Sequence, residues 1–155
     1  MVDQSWVGHS SDPVGPYQVG REKIREFAVA IGDGDPLFRD VDAARAAGHA
    51  DLVAPPTFPT CFTMPVIEGF LREPAFGWDY TRMVHGDQRI TFRRPVVAGD
   101  ELTTVLHVDE LRTRAGNHML TLRCEVTDAV GEPVATTHSM LVSPAGEDAG
   151  GEGDA

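Results

Sequence analysis

The stretch from Phe58 to Leu71 constrains this chain most, because it is apolar nearly all the way round a helix. Phe58, Cys61, Phe62, Met64, Val66, Ile67, Phe70 and Leu71 leave no solvent face, and Glu68 is the only ionised side chain among them. A helix of that pattern has to be buried by the rest of the protein. It falls short of the roughly 20 residues that span a bilayer. Pro59 suits its first turn, and Pro65 predicts a kink. From His85 onward the hydrophobic period becomes two, and His85–Arg93, Glu101–Leu111, His118–Asp128 and Pro133–Ser143 read as four strands. In the third, Leu120, Leu122, Cys124 and Val126 point one way, and Thr121, Arg123, Glu125 and Thr127 the other. The breaks between strands are short, which predicts antiparallel neighbours. A buried helix followed by an antiparallel meander predicts an α+β layer, a curved sheet wrapped around a long central apolar helix. Such a sheet has open edges. Joining a second sheet edge to edge protects them, so a dimer is expected.

Upstream, Ile24, Phe27, Ala28 and Ile31 make an i, i+3, i+4, i+7 stripe on a helix that opens at Arg21 and stops at Gly32. Asp42 to Gly48 reads as a second, short helix, and Pro13 to Gly20 as an extended entry loop. The 155 residues thus divide into a flexible N-terminus (1–12), a single domain (13–143) and a disordered acidic tail (144–155). The tail is mostly Gly, Glu, Asp and Ala, which build no core. Lys and Arg number 13 against 24 Asp and Glu, a formal charge of −11. So acidic a chain lacks the cationic footprint for nucleic acid or for an anionic membrane surface. The start has no basic n-region and no apolar run, so a cytoplasmic location is expected. The two cysteines, Cys61 and Cys124, give neither a disulfide framework nor metal-ligand spacing. No glycine-rich phosphate loop is present, and no metal or cofactor is expected.

Two constellations stand out as carriers of chemistry. His85-Gly86-Asp87-Gln88 sits at the entrance to the first long strand, where three polar side chains could line a pocket mouth or simply start the strand. Asp33-Gly34-Asp35-Pro36-Leu37-Phe38 follows the first helix. Its local reading is a turn whose Asp side chains bond nearby amides. Cys61 on the apolar helix reads as an inert core thiol.

The order of motifs resembles a known family. Val19-Gly20-Arg21-Glu22-Lys23-Ile24-Arg25-Glu26-Phe27-Ala28, Gly32-Asp33-x-Asp35-Pro36, Ala54-Pro55-Pro56-Thr57-Phe58, Val84-His85-Gly86-Asp87-Gln88 and Arg94-Pro95-Val96-Val97-Ala98-Gly99-Asp100 are together similar to MaoC-like hot-dog proteins. Within that family they resemble the non-catalytic subunits of bacterial (3R)-hydroxyacyl-ACP dehydratase and the MaoC N-terminal dehydratase domains. The resemblance runs from about Val7 to Ser143. It implies a hot-dog fold, an acyl-CoA or acyl-ACP thioester as ligand, and a dimer with the acyl chain between subunits. Active members carry Asp-x-Asn-Pro-x-His, whose Asp and His add water to, or remove it from, a C2–C3 double bond beside a thioester. That chemistry needs proton-handling groups within hydrogen-bond reach of C2 and of the C3 hydroxyl. It also needs a donor for the thioester oxygen as enolate charge builds.

Against that pattern the chain has Asp33 at the Asp, Asp35 at the Asn and Phe38 at the His. Phenylalanine moves no proton. Pro56 stands where active members have a glycine whose N–H helps hold the thioester oxygen, and proline has no N–H. The resemblance therefore implies a non-catalytic subunit that holds the acyl chain of a 3-hydroxyacyl thioester beside a second hot-dog subunit bearing the intact dyad. The substrate-binding residues expected are Phe38, Pro56, Thr57, Phe58, Phe62, Met64, His85, Gly86, Asp87 and Gln88. One alternative is a self-sufficient hot-dog enzyme that adds water or another nucleophile to an α,β-unsaturated acyl thioester, with Asp33 and His85 catalytic and Asp87 assisting. Another is a non-enzymatic acyl-thioester sensor or structural homodimer. A thioesterase fits less well, because Glu68 lies near the wrong end of the apolar helix for a catalytic carboxylate.

Overall fold

The structure, a computed structural model, describes residues 2–145. The amphipathic stripe after Gly20 forms α1 (Arg21–Ala30), which buries Ile24 and Ala28. Asp40 caps α2 (Val41–Ala46), its carboxylate accepting the Asp42 and Ala43 amides. The apolar segment forms α3 (Thr60–Leu71), with Phe62, Thr63, Ile67 and Leu71 buried and Pro65 inside the helix. Phe58, expected within the helix, lies in the turn before it and is fully buried.

Five strands make one antiparallel sheet: β1 (Val14–Gln18), β2 (Val84–Phe92), β3 (Glu101–Arg114), β4 (Asn117–Thr127) and β5 (Pro133–Pro144), in the order β1-β3-β4-β5-β2. Leu120, Leu122, Cys124 and Val126 face the core at 1% exposure or less, as their alternation requires. The core forms two adjoining clusters. One gathers Ile24, Phe38, Phe58, Val96 and Leu102, and the other Ile67, Leu71, Phe76, Leu106 and Leu122. Along β5, Ala135 belongs to the first and Leu141 to the second, while Thr137 and Ser139 lie buried in between. This is the α+β hot-dog architecture: a curved sheet wrapped around a central apolar helix. Among the described residues no helix is long and apolar enough to cross a membrane.

Four expectations are corrected. The Pro13–Gly20 loop contains a strand, β1, which pairs with β3 at Tyr17↔Leu102 and Gln18↔Glu101. A sheet edge tolerates its proline. Gly15 permits the close approach: its φ is +149° and a Cβ there would lie 2.8 Å from the Leu102 carbonyl oxygen. The flexible N-terminus (1–12) is instead docked from Val2 onward, because β3 outruns β1 and its free edge needs partners. Gly8 and Ser11 donate their amides to the Val108 and Leu106 carbonyls at 2.9 Å each. The Trp6 ring packs edge-on against Phe70 and Phe76 at 5.7 and 5.6 Å. Third, β2 pairs with β5 and not with β3, its neighbour in sequence. The intervening segment does not turn back, because Val96 is buried in the first cluster and its carbonyl accepts the Ala54 amide at 2.8 Å. Last, β5 continues through Pro144, and the Ala145 amide donates to the Gly116 carbonyl at 2.9 Å. The rest of the expected acidic tail, 146–155, lies outside the described residues.

Candidate functional site

The Asp33–Phe38 segment folds as its residue types dictate. The Asp33 carboxylate accepts the Asp35 amide at 3.0 Å, and the Asp35 carboxylate accepts the Leu37 amide at 2.9 Å. Both acids thus brace a tight turn, which drops Phe38 into the core at 7% exposure. There Phe38 lines a cavity of about 390 Å³ with Val53, Ala54, Pro56, Phe92 and Val96, and Arg93 and Arg94 stand at its border. The walls come from three separated segments, and specific bonds join them. Val53 bridges to Val97. Arg21 clamps Asp51 through two hydrogen bonds of 2.8 and 2.6 Å, just ahead of Leu52. That clamp holds the Asp51 carboxyl at about 2, chiefly through the Arg21 hydrogen bond. Arg94 grips Asp100 at 2.8 and 3.0 Å and Asp128 at 3.3 Å. The lining holds no side chain that exchanges a proton near neutral pH, since arginine stays charged. The cavity can hold an apolar group, and its lining offers no acid–base group of its own.

The structure splits the His85–Gln88 motif. A bulge at Gly86 interrupts the β2–β5 register, so that His85 stands opposite Leu141 while Asp87 stands opposite Met140. His85 and Gln88 share the inner face of the sheet, Asp87 is turned to the outer face, and Gly86 packs against Met140. Neither His85 nor Asp33 lines the Phe38 cavity, and they lie on separate elements. Thr57 is exposed in the turn before α3, and Phe58 is a core residue stacked edge-on against Phe27 at 5.5 Å. Met64 is half-buried and, with Tyr80 and Met83, packs against the second cluster. Phe62 borders a different recess of about 350 Å³ with Tyr17, Cys61 and Pro65, between α3 and β1. That recess adjoins another of about 490 Å³ bounded by Trp6, Val66 and Phe70. Burial raises the Cys61 thiol pKa and pushes Cys124 up to about 11, so neither is a ready nucleophile.

Of the ten expected binding residues, the structure brings Phe38 and Pro56 into one cavity and leaves Gln88 and His85 further along the inner face of β2. Sequence reasoning missed Val53, Ala54 and Phe92 as lining residues. Phe92 carried a signal, since it ends a period-two strand on the same face as Gln88 and Ile90. Ala54 carried none beyond its place in a motif, and Val53 carried none.

Comparison with known proteins bears on this geometry. A family model described as "FAS1-like, dehydratase domain region" matches residues 5–137. The chain is 50% identical over 154 residues to a UPF0336 protein of Saccharopolyspora erythraea, covering 96% of this chain and 99% of that one. Among solved structures, a MaoC-like dehydratase superposes with a TM-score of 0.85 at 33% identity over 92% of this chain, which spans 43% of that protein. The C-terminally truncated HadBC (3R-hydroxyacyl-ACP dehydratase) complex from Mycobacterium tuberculosis superposes at 0.78 with 32% identity, covering 89% of this chain and 97% of that one.

Proposed function

We propose, from the premise that this chain belongs to the FAS1-like dehydratase-region family of MaoC-like hot-dog proteins, that it is the acyl-thioester-binding, non-catalytic subunit of an (R)-specific 3-hydroxyacyl-thioester dehydratase. One observation carries the reading: Phe38 and Pro56, the two departures that remove a proton-handling group and an amide donor, line the same cavity. The place where a proton shuttle and an oxyanion donor would meet has become an apolar wall that keeps its shape. A second hot-dog subunit would supply the Asp, the His and the amide donor, and this chain would supply the surface against which the acyl chain lies. That surface would run from the cavity along the inner face of β2, past Ile90 and Gln88, toward the second core cluster against which Met64 of α3 packs.

The joining edge is β2. It is one of the two outer strands of the sheet, the longer of them, and Val84 on it is 60% exposed. An unpaired strand edge offers a row of N–H and C=O groups that a second sheet can satisfy. The match to a subunit of a two-component dehydratase complex supports a hot-dog partner. The carrier is CoA or an acyl carrier protein.

Met64→Trp tests the role of the wall. A folded variant, paired with a dyad-bearing partner, is expected to lose turnover of long acyl thioesters more than of short ones. Equal loss at all lengths would mean that this subunit stabilises its partner without touching the acyl chain.

A further inference from the structure

Three polar side chains meet on the inner face of the sheet. Gln88 lies directly opposite Ser139 in the β2–β5 register, and Thr137 lies two residues along β5, opposite Ile90. Ser139 and Thr137 are each 1% exposed. Among the described residues Gln88 Nε2, Ser139 Oγ and Thr137 Oγ1 are buried without a well-formed hydrogen bond, and the Thr137 hydroxyl has only the weakly bonding Cys124 thiol opposite it. Directly opposed residues hold their Cβ atoms about 4.5–5.5 Å apart, so these groups serve one locality. Elsewhere in the core Trp78 Nε1 is also unpaired, but two other buried hydroxyls are bonded. The Thr63 hydroxyl donates to the Pro59 carbonyl at 3.0 Å, and the Ser143 hydroxyl to the Asp79 carbonyl at 3.1 Å. A buried donor left unpaired is destabilising, whereas an apolar residue of like shape carries no such penalty.

We propose that Gln88, Ser139 and Thr137 form a polar rung in the acyl corridor that binds an oxygen carried on the acyl chain itself, remote from the thioester. The preferred ligands are then acyl thioesters with a hydroxyl or oxo group along the chain. This rests on the reading of the site as an acyl-thioester site. Gln88 shares the inner face with Ile90 and Phe92, and four residues of strand put it about 14 Å from the Phe92 wall of the cavity. The amide donates, and the two hydroxyls donate or accept, which suits a hydroxyl or a ketone. The rung itself contains no charged group, and a carboxylate buried there would lack a countercharge.

The test is titration of the full chain, alone and with a dyad-bearing hot-dog partner, with dodecanoyl-CoA and a series of hydroxydodecanoyl-CoA isomers. At least one isomer is expected to bind about tenfold more tightly than dodecanoyl-CoA, the yield of one satisfied buried hydrogen bond. The double variant Gln88→Leu, Ser139→Ala is expected to lose that preference. Its ligand-free melting temperature should hold or rise, because two unpaired polar groups are gone. Binding with no preference, whether or not water fills the rung, overturns the rung alone. A fall in melting temperature with the preference intact makes the three residues structural and also overturns it. Failure of every thioester to bind in either setting overturns the acyl-site reading and the rung with it.

Discussion

Asp33, Asp35 and Phe38 show how far single residues can be read. The two acids were legible as turn braces from Asp-Gly-Asp-Pro alone, and their carboxylates accept the amides two residues on. Phe38 was legible as a missing acid–base group only through the resemblance, because nothing local marks a phenylalanine as standing in for histidine. Phe38→His by itself is expected to restore little hydration in an enoyl-thioester assay, since Pro56 still offers no amide donor. Strong rescue would place the oxyanion donor elsewhere. Asp51 gives a pH signature. Its folded pKa of about 2 lies below the ordinary 3.8, so its clamp on Arg21 contributes fully above about pH 4 and is lost as pH falls toward 2. Arg21 is half exposed, so solvent screens the pair and its contribution is small. Thermal melts of Asp51→Asn across the acid range should show a shallower loss of stability between those limits than the parent. Gly15→Ala forces a Cβ to within 2.8 Å of the Leu102 carbonyl oxygen. A loss of about 2 kcal/mol in denaturant unfolding is expected, within the usual cost of strain at a special backbone position.

At the scale of elements, α3 and β3 to β5 were legible because each carries a strong period: apolar all round for the helix and alternating for the strands. The short strand β1 was not, since Val-Gly-Pro-Tyr-Gln has no alternation and is held by the edge of β3. The placement of β2 beside β5 was hidden for a related reason. The short connection to β3 looks like a turn in sequence, and only the burial of Val96 makes it a crossing. The N-terminal segment behaves as a strap. Between Val2 and Asp12 its sequence is polar apart from Val2, Trp6 and Val7, and its order comes from Trp6 and from backbone bonds exchanged with β3. Trp6→Ala should cost roughly 2 kcal/mol, less than a fully buried aromatic. It should also speed amide exchange at Gly8, Ser11 and Val108 ahead of the rest of the sheet. Unchanged exchange there would show the strap to be held by its backbone bonds alone.

At the scale of the whole molecule, the fold was legible and the site only half so. On the proposed reading this chain forms the wall of a reaction chamber and the chemistry comes from a second hot-dog subunit, whose residues no pattern within this sequence describes. The partner edge can still be tested. Lysines at Val84 and Thr91 on β2 should oppose strand pairing and shift the assembly toward monomer in sedimentation; an unchanged assembly would move the interface off β2. The measurement closest to the central claim is the hydration of a trans-2-enoyl thioester by this chain alone, by a dyad-bearing hot-dog partner alone, and by the two together. General acid–base catalysis is worth about 10²–10⁴-fold, so the chain alone should fall at least 10²-fold below the pair, with long-chain turnover appearing only when both are present. Robust hydration by the homogeneous chain, abolished by His85→Ala or Asp33→Ala, would contradict the account.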